Sequence, residues 1–267
     1  MNKKTLQALQ PSVVSLAIKA GARILDFYRY GYDVQEKSDQ TPLTQADIAA
    51  HEIIEEGLRE LTPDIPILSE EGKKIPFETR KQWQLYWLVD PLDGTREFIR
   101  RNDEFTVNIA LIENGKPIMG LVHAPELEQC YFAARGLGAY KKANDKKPKR
   151  IMVKSKCRTP VIVAGSRSFP SEAFNRFVAN IGEVEMLSMG SALKSCLVAE
   201  GTADIYARLG PTSEWDTAAA QCIVEEAGGM LTDTNMQPLC YNTKDSLLNP
   251  HFFVFGDSGV DWSSYLE

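Results

Sequence analysis

Two aspartates three positions apart, Asp90 and Asp93, carry the strongest chemical signal in the sequence. They belong to the hexapeptide DPLDGT, which directly follows a predicted strand at Leu85–Val89. Because Pro91 restricts φ and Gly94 permits positive φ, we expect a tight turn that holds the two aspartate Cα atoms within about 7 Å. Two carboxylates about 4 Å apart repel by roughly 4 kcal/mol at an effective dielectric of about 20, and a divalent cation would remove that penalty. Hard oxygen ligands of this kind favour Mg²⁺ over zinc.

Two other interpretations of this hexapeptide have to be weighed. Asp90 and Asp93 can instead cap backbone amides in an Asx turn, and on the residues alone this alternative stays open. A phosphatase that forms a covalent phosphoaspartate would need the sequence D-x-D-G-T, with a nucleophilic aspartate two residues before Asp93. Pro91 occupies that position and cannot act as a nucleophile, so the covalent mechanism is excluded.

Further carboxylates lie at the ends of other predicted elements. Glu70 and Glu71 follow a predicted strand, at the carboxyl end where α/β proteins collect their ligand sites. Asp216 begins a predicted helix, and Asp47 comes three residues after Thr44 in the pattern of a capping box. Each also has a purely structural interpretation, as part of a solvated acidic turn or as a helix cap. The two kinds of role are compatible, because a capping carboxylate can still reach a ligand.

The elements that must position these residues fall into two groups along the chain. The N-terminal group combines two helices with a β-meander over Phe105–Arg135, in which Asn114-Gly115 predicts a hairpin turn. The C-terminal group alternates strands and helices, which is typical of a layered α/β structure. We therefore expect an α+β half over residues 1–156 and an α/β half over residues 157–267. The predicted helices are Ser12–Tyr30, a second that begins at Thr44, Ser171–Asn180, Ser191–Glu200 and Asp216–Ala227, and the other predicted strands include Ile65–Leu68, Val161–Val163, Val184–Leu187, Asp204–Ala207 and Phe252–Phe255.

Composition excludes several classes of protein. The 267 residues carry 30 basic and 36 acidic side chains, and the net charge of −6 argues against nucleic acid as the main partner. The five cysteines form no C-x-x-C pair and the three histidines lie far apart, so neither a disulfide framework nor a zinc site is expected. No apolar run approaches the roughly 20 residues that cross a bilayer, and the first residues lack the apolar core of a signal peptide. We expect a cytoplasmic protein, with peripheral attachment to the inner face of the membrane left open, and we interpret the basic run Lys141–Arg150 as a solvated hairpin tip.

Three motifs taken together resemble a known family. DPLDGT at Asp90, SEEG at Ser69 and WDTAA at Trp215 are similar, in order and spacing, to the inositol monophosphatase superfamily of lithium-sensitive, Mg²⁺-dependent phosphatases. The first motif continues as DGTREF, and TPLTQAD begins at Thr41, as in the CysQ-type 3′(2′),5′-bisphosphate nucleotidase branch of that superfamily. Arg96 departs from the lysine that is commoner in this branch. The resemblance implies a layered αβαβα sandwich, as a monomer or homodimer.

The resemblance also implies a ligand set for two to three Mg²⁺ ions. One ion would take Glu70, Asp90 and the carbonyl oxygen of Leu92. A second ion would take Asp90, Asp93 and Asp216, and a weaker third ion would lie near Glu70. Such a metal clamp would bind phosphate oxygens, lower the pKa of an attacking water and stabilise the leaving oxygen.

The same resemblance assigns catalytic and substrate roles. Thr95, hydrogen-bonded to Asp47, would orient and deprotonate the water, so that Asp47, Thr95 and Glu70 form the implied catalytic set. The substrate would be adenosine 3′,5′-bisphosphate, hydrolysed to AMP, with 3′-phosphoadenylyl sulfate as a further substrate. The alternatives are an inositol monophosphatase of the same superfamily and a noncatalytic metal- or nucleotide-binding protein. The implied substrate contacts are Glu70, Leu92, Asp93, Gly94, Thr95, Gly190, Ser191, Lys194, Arg208 and Asp216.

Overall fold

Two mixed β-sheets, one short antiparallel pair of strands and the helices packed on the sheets form the structure, a computed structural model that describes residues 1–31, 34–36, 42–144, 146–166 and 171–266. Thr41, at the start of the TPLTQAD segment, lies outside the described residues. The helices are α1 Lys3–Tyr30, α2 Gln45–Leu61, α3 Phe77–Arg80, α4 Thr95–Arg100, α5 Glu172–Ile181, α6 Leu193–Ala199 and α7 Glu214–Glu226, followed by a 3-10 turn at Trp262–Tyr265. The strands are β1 Val34–Glu36, β2 Pro42–Thr44, β3 Ile67–Ser69, β4 Leu85–Asp93, β5 Thr106–Glu113, β6 Lys116–Ala124, β7 Gln129–Ala134, β8 Gly138–Ala143, β9 Lys149–Ile151, β10 Val161–Gly165, β11 Val184–Ser188, β12 Ile205–Arg208, β13 Met230–Asp233 and β14 Phe252–Phe255.

Strands β3 to β9 form a seven-stranded sheet in chain order, in which only the pair β3–β4 is parallel. Alternate residues of β5 face opposite sides because side chains alternate along a strand. Ile109 and Leu111 pack in the core against α1 and α2, whereas Ala110 and Ile112 pack in the core that contains α6 and α7. Both faces of this sheet are therefore covered by helices.

The second sheet has five strands in the order β11-β10-β12-β14-β13. Strands β10, β11 and β12 are parallel, and β14 runs antiparallel to β12 and β13. Val254 of β14 faces α6 and α7, while Phe253 faces Phe177 of α5 and Trp262 of the 3-10 turn. The layers thus follow the order helix, sheet, helix, sheet, helix, which confirms the expected sandwich.

Helix α7 packs unusually closely on the seven-stranded sheet. Gly120 of β6 lies under the helix, and a Cβ at this position would lie 2.1 Å from the carbonyl oxygen of Ala219. A glycine here therefore allows the helix backbone to approach the strand. This contact fixes the height of α7, whose first turn carries Asp216, above the sheet that carries Asp90.

Several predicted boundaries were wrong. Helix α1 begins at Lys3, with Asn2 as its cap, and not at Ser12 as predicted, so that Pro11 lies inside the helix. The predicted hairpin at Asn114-Gly115 is confirmed, and both residues have positive φ. The meander is longer than expected, because part of the basic run Lys141–Arg150 forms strands β8 and β9. Strand β13 was not predicted at all.

None of the helices in the described ranges is both long and apolar enough to cross a membrane. The seven-stranded sheet uses residues up to Ile151 and the five-stranded sheet uses residues from Val161 onwards. One hydrophobic core contains residues of both sheets. The division of the chain at residues 156 and 157 into two halves stays a prediction.

Candidate active site

A β-bulge at the end of β4 brings Asp90 and Asp93 to the same face of the sheet. Residues three apart on a regular strand point to opposite faces. Here Asp90 pairs with Asn108 and Asp93 pairs with Thr106, so β4 has one extra residue over this interval. Because Thr106 and Asn108 are two apart on β5, they share a face, and so do the aspartates opposite them. The expected tight turn was therefore wrong, because the chain stays in the sheet as far as Asp93.

Three carboxylates from distant parts of the chain meet beside this bulge. Glu70, Asp90 and Asp216 each offer an oxygen, and these oxygens all lie within 4.8 Å of one another. Glu70 follows β3, and its backbone N–H donates to the carbonyl oxygen of Val89 at 3.1 Å, which holds it beside β4. Glu71, also considered from the sequence, is not part of the cluster.

Asp216 reaches the cluster from the first turn of α7. The helix is capped by Ser213, whose backbone N–H donates to Oδ2 of Asp216 at 3.0 Å in a capping box. The helix thus begins at Glu214 and not at Asp216, and Asp216 stands at the third helical position. The capping role and the approach to Glu70 and Asp90 coexist.

The electrostatics of the cluster fit a divalent cation. Burial raises the pKa of Asp90 well above its usual value, and the neighbouring charges of Glu70, Asp93 and Asp216 raise it further. The residue Asp216 is only partly buried, but its carboxyl is enclosed by protein, and burial together with Asp93 and Glu70 raises its pKa to about 8. Crowded carboxylates of this kind are stabilised in their charged form by a bound cation, and an all-oxygen donor set suits Mg²⁺. The residues present therefore fit the metal that the family resemblance implies.

Asp93 lies next to the cluster but has a different set of contacts. Its Oδ2 accepts a hydrogen bond from the backbone N–H of Ala192 at 2.6 Å and another from Nδ2 of Asn108 at 3.3 Å. Burial raises its pKa to about 6, against the opposing effect of Lys194. Asp93 is not one of the three carboxylates that meet within 4.8 Å, although its charge raises the pKa of both Asp90 and Asp216.

Thr95 and Asp47 are hydrogen-bonded at the start of α4. The Thr95 hydroxyl lies 3.2 Å from Oδ1 of Asp47 and 3.3 Å from the carbonyl oxygen of Leu92. Asp47 is buried at the start of α2, where its Oδ2 accepts from both the backbone N–H and the hydroxyl of Thr44. The predicted capping box is confirmed, and its aspartate turns its second oxygen towards Thr95. Gly94 precedes Thr95 with φ of +90°, a conformation that favours glycine.

A cavity of about 180 Å³ opens in front of Asp93 and Asp216. Gly94, Ser191, Lys194 and Arg208 also contribute to its walls. The cavity is also lined by four residues to which the sequence assigned no role in the site, Arg96, Glu97, Tyr206 and Thr212. For Arg96, the departure from the family lysine was the one sequence signal that could have pointed to a place in the cavity wall.

The two predicted cations of the cavity differ in their surroundings. Lys194 is 6% exposed, its Nζ donates to the carbonyl oxygen of Ser191 at 2.8 Å, and it lies over the ring of Tyr206. Burial lowers its pKa to about 8, although the negative charge of Asp93 opposes the shift. Arg208 donates from Nε to the hydroxyl of Thr212 at 2.7 Å. Both cations therefore belong to the wall of the cavity, and neither is a plain surface charge.

Gly190 and Ser191 form a strained segment before α6, and the predicted helix start at Ser191 was wrong. Ser191 has φ of +46°, and its buried hydroxyl has no hydrogen-bond partner in the described part of the chain. A Cβ on Gly190 would lie 2.7 Å from the carbonyl oxygen of Glu104. The chain therefore reaches Ala192, whose N–H binds Asp93, only after this close approach.

Comparison with known proteins gives a consistent family. The sequence model of the inositol monophosphatase family matches residues 5–253. The chain is 49% identical over 244 residues to 3′(2′),5′-bisphosphate nucleotidase CysQ of Salmonella typhimurium, covering 91% of this chain and 97% of that protein. The crystal structure of CysQ from Bacteroides thetaiotaomicron superposes with a TM-score of 0.82 at 42% identity, over 94% of this chain and 97% of that one. An inositol monophosphatase from Anabaena has the same fold, with a TM-score of 0.77 at 26% identity, over 98% of this chain and 96% of that one.

Proposed function

We propose that this chain, which belongs to the inositol monophosphatase family, is a phosphomonoesterase that removes the 3′-phosphate of adenosine 3′,5′-bisphosphate and leaves AMP. The observation that carries the proposal is the cavity whose walls contain both the acidic residues Asp93 and Asp216 and the cations Lys194 and Arg208. A substrate with two phosphates needs both a metal-binding acidic end and a cationic end. The relatives named as bisphosphate nucleotidases are 40–49% identical to this chain, against 26% for the inositol monophosphatase from Anabaena.

Glu70, Asp90 and Asp216 would hold a divalent cation, with Asp93 and the carbonyl oxygen of Leu92 as further ligands. We propose two to three Mg²⁺ ions for this site. When bound, Mg²⁺ supplies a Lewis acid for the phosphate oxygens and makes a water more acidic at neutral pH.

The protein's own contribution to water activation lies in Thr95 and Asp47. The Thr95 hydroxyl donates to Oδ1 of Asp47, so its oxygen lone pairs are directed away from that carboxylate and can accept a proton from water. Asp47 stays an acceptor because two donors of Thr44 hold its other oxygen. The backbone amides of Gly94 and Thr95 would hold the phosphate at the start of α4. Glu70 is the third residue of the proposed catalytic set, and its role there would be to hold the metal ion.

The second phosphate would bind Lys194 and Arg208, with Ser191 and Gly190 beside them. A hydrogen bond to a charged group contributes about 1.5–3 kcal/mol, so these contacts are sufficient to select a bisphosphate over a monophosphate. In a protein of net charge −6, such selection has to come from local cations. We propose 3′-phosphoadenylyl sulfate as a second substrate because it keeps the same 3′-phosphate. The cytoplasmic location and the monomeric or dimeric state stay predictions.

A phosphate-release screen with Mg²⁺ tests the proposal. The substrates are adenosine 3′,5′-bisphosphate, 3′-phosphoadenylyl sulfate, 3′-AMP, 5′-AMP and inositol 1-phosphate. We expect the highest kcat/KM with adenosine 3′,5′-bisphosphate, and no phosphate release after Mg²⁺ has been removed with a chelator. A preference for inositol 1-phosphate would assign the chain to the sister activity, and binding without phosphate release would assign it to a noncatalytic role.

A further inference from the structure

We infer that Asn108, oriented by Thr106, is a positioning residue that fixes which oxygen of Asp93 faces the catalytic cavity. The inference rests on the proposed function, because it assigns Asp93 to the metal and phosphate end of that site. Nothing in the sequence motifs pointed to either residue, since both lie inside the alternating strand TVNIALIE.

The two side chains are fully enclosed in the protein beside the bulge. Thr106 is 0% exposed and Asn108 is 1% exposed. Both lie on β5, on the face that they share with Asp90 and Asp93. A polar side chain buried this deeply costs free energy unless its donors and acceptors are satisfied, so its contacts determine its orientation.

A hydrogen-bond chain orients the Asn108 amide. The hydroxyl of Thr106 donates to Oδ1 of Asn108 at 2.9 Å, and Nδ2 of Asn108 donates to Oδ2 of Asp93 at 3.3 Å. The opposite orientation of the amide would place its oxygen against the Asp93 carboxylate, which can only accept. Asp93 therefore selects the orientation in which Asn108 donates to it, and the hydrogen bond from the Thr106 hydroxyl to Oδ1 holds the amide there.

The consequence for Asp93 is that its two oxygens become unequal. Oδ2 accepts a hydrogen bond from Nδ2 of Asn108, on β5, and another from the backbone N–H of Ala192, directly before α6. Oδ1 accepts no hydrogen bond from the part of the chain that the structure describes. Oδ1 is thus the oxygen left for a ligand in the cavity, and Asn108 acts by holding the carboxylate plane in that orientation.

The experiment measures metal binding and catalysis separately in four variants. Asn108→Leu removes the donor, Thr106→Val removes the group that orients it, and Thr106→Ser keeps the hydroxyl. Thr232→Val is the matched control, because Thr232 is also a fully buried strand threonine but lies in β13, away from the site. Mn²⁺ binding to the metal-free protein is followed by electron paramagnetic resonance, and kcat and KM are measured with Mg²⁺ and adenosine 3′,5′-bisphosphate.

We expect Asn108→Leu to weaken Mn²⁺ binding and to lower kcat by about 10-fold or more, the range typical of groups that orient metal ligands. Thr106→Val is expected to show a smaller loss of the same two quantities, and Thr106→Ser to restore them. KM for the nucleotide should stay within about twofold, because the Lys194 and Arg208 end is unchanged. The control Thr232→Val should change neither Mn²⁺ affinity nor kcat.

Wild-type Mn²⁺ affinity and kcat in both Asn108→Leu and Thr106→Val would overturn the inference, as would an equal loss in Thr232→Val. If Asn108→Leu does not fold cooperatively, the pair Thr106→Val and Thr106→Ser decides alone. The outcome is separable from the proposed function. A wild-type protein that releases no phosphate from the bisphosphate would refute that function, while the Mn²⁺ titrations would still test the role of Asn108.

Discussion

The Thr95 hydroxyl lies 3.2 Å from Oδ1 of Asp47, a residue 48 positions earlier in the chain. The hydroxyl has one proton, and the carbonyl oxygen of Leu92 at 3.3 Å competes for it. The carboxylate is the stronger acceptor because it is charged. The bond to Asp47 therefore directs the remaining lone pairs of Thr95 Oγ1, and these are the atoms proposed to receive the proton of water.

Replacing the Thr95 hydroxyl tests this role directly. Thr95→Val is expected to lower kcat by about 100-fold or more, the usual contribution of a positioned proton acceptor. Thr95→Ser keeps the hydroxyl and should retain most of the activity. The measurement is steady-state phosphate release at saturating Mg²⁺, together with Mn²⁺ affinity, which we expect to be unchanged in both variants. A Thr95→Val enzyme with wild-type kcat would remove Thr95 from the mechanism.

A substitution at Gly190 tests the close contact with Glu104 that positions the backbone N–H of Ala192 beside Asp93. In Gly190→Ala, the new Cβ would lie 2.7 Å from the Glu104 carbonyl oxygen and 2.8 Å from the Glu104 Cβ, so the segment has to move. We expect a loss of about 1–3 kcal/mol in the free energy of unfolding, measured by urea titration, and a fall in kcat.

Gly210→Ala is the matched control for that variant. A Cβ on Gly210 meets nothing within 4 Å in the described structure, although Gly210 lies close to the same cavity wall. It should leave both unfolding free energy and kcat nearly unchanged. Equal effects of the two substitutions would show that the Gly190 contact has no special importance.

The sequence identified the acidic residues of the candidate site because their signals are local. Asp90 and Asp93 lie in one hexapeptide after a strand, and the capping pattern at Thr44 placed Asp47 correctly. The sequence could not predict which backbone structure brings the carboxylates together. A spacing of three with proline and glycine is typical of a turn, whereas the pairing with β5 produces a bulge, which depends on a partner strand far along the chain.

Residues that act through tertiary contacts were missed for a related reason. Asn108 reads as one polar position in an alternating strand, and its contact with Asp93 exists only once the bulge has formed. The start of α1 was misplaced because local propensity gives Pro11 a large penalty in a helix interior. In the folded protein, α1 buries Leu6 as well as Val13, so packing on both sides of Pro11 offsets that penalty.

His123 gives the protein a pH-dependent stability that is separate from catalysis. The ring is buried on β6, and its Nδ1 lies 3.1 Å from the carbonyl oxygen of Gln129. Burial lowers its pKa from 6.5 to about 4. The unfolded chain therefore binds a proton below pH 6.5 that the folded protein does not bind until about pH 4, so stability is full above pH 6.5 and is lost as the pH falls between these values.

Comparison with His123→Asn isolates this effect, because asparagine can keep the donor to Gln129 but does not titrate. Urea unfolding of both metal-free proteins at pH 7.5 and pH 4.5 gives the difference in unfolding free energy. We expect the wild type to lose about 2 kcal/mol relative to the variant over this range. A constant difference would mean that His123 is protonated equally in the folded and unfolded states. The acidic cluster titrates in both proteins and cancels from the comparison.

Lys194 tests whether the cationic end of the cavity selects the second phosphate. Lys194→Met keeps much of the apolar stem but removes the ammonium group, and we expect it to raise KM for adenosine 3′,5′-bisphosphate by about 10- to 100-fold, the equivalent of one charged hydrogen bond. KM for 3′-AMP, which lacks the 5′-phosphate, should change little. Lys141→Met is the control, since Lys141 also lies over a tyrosine ring and pairs with a carboxylate, that of Glu200, away from the cavity. Equal losses with both substrates would show that Lys194 supports Asp93 and does not recognise the 5′-phosphate.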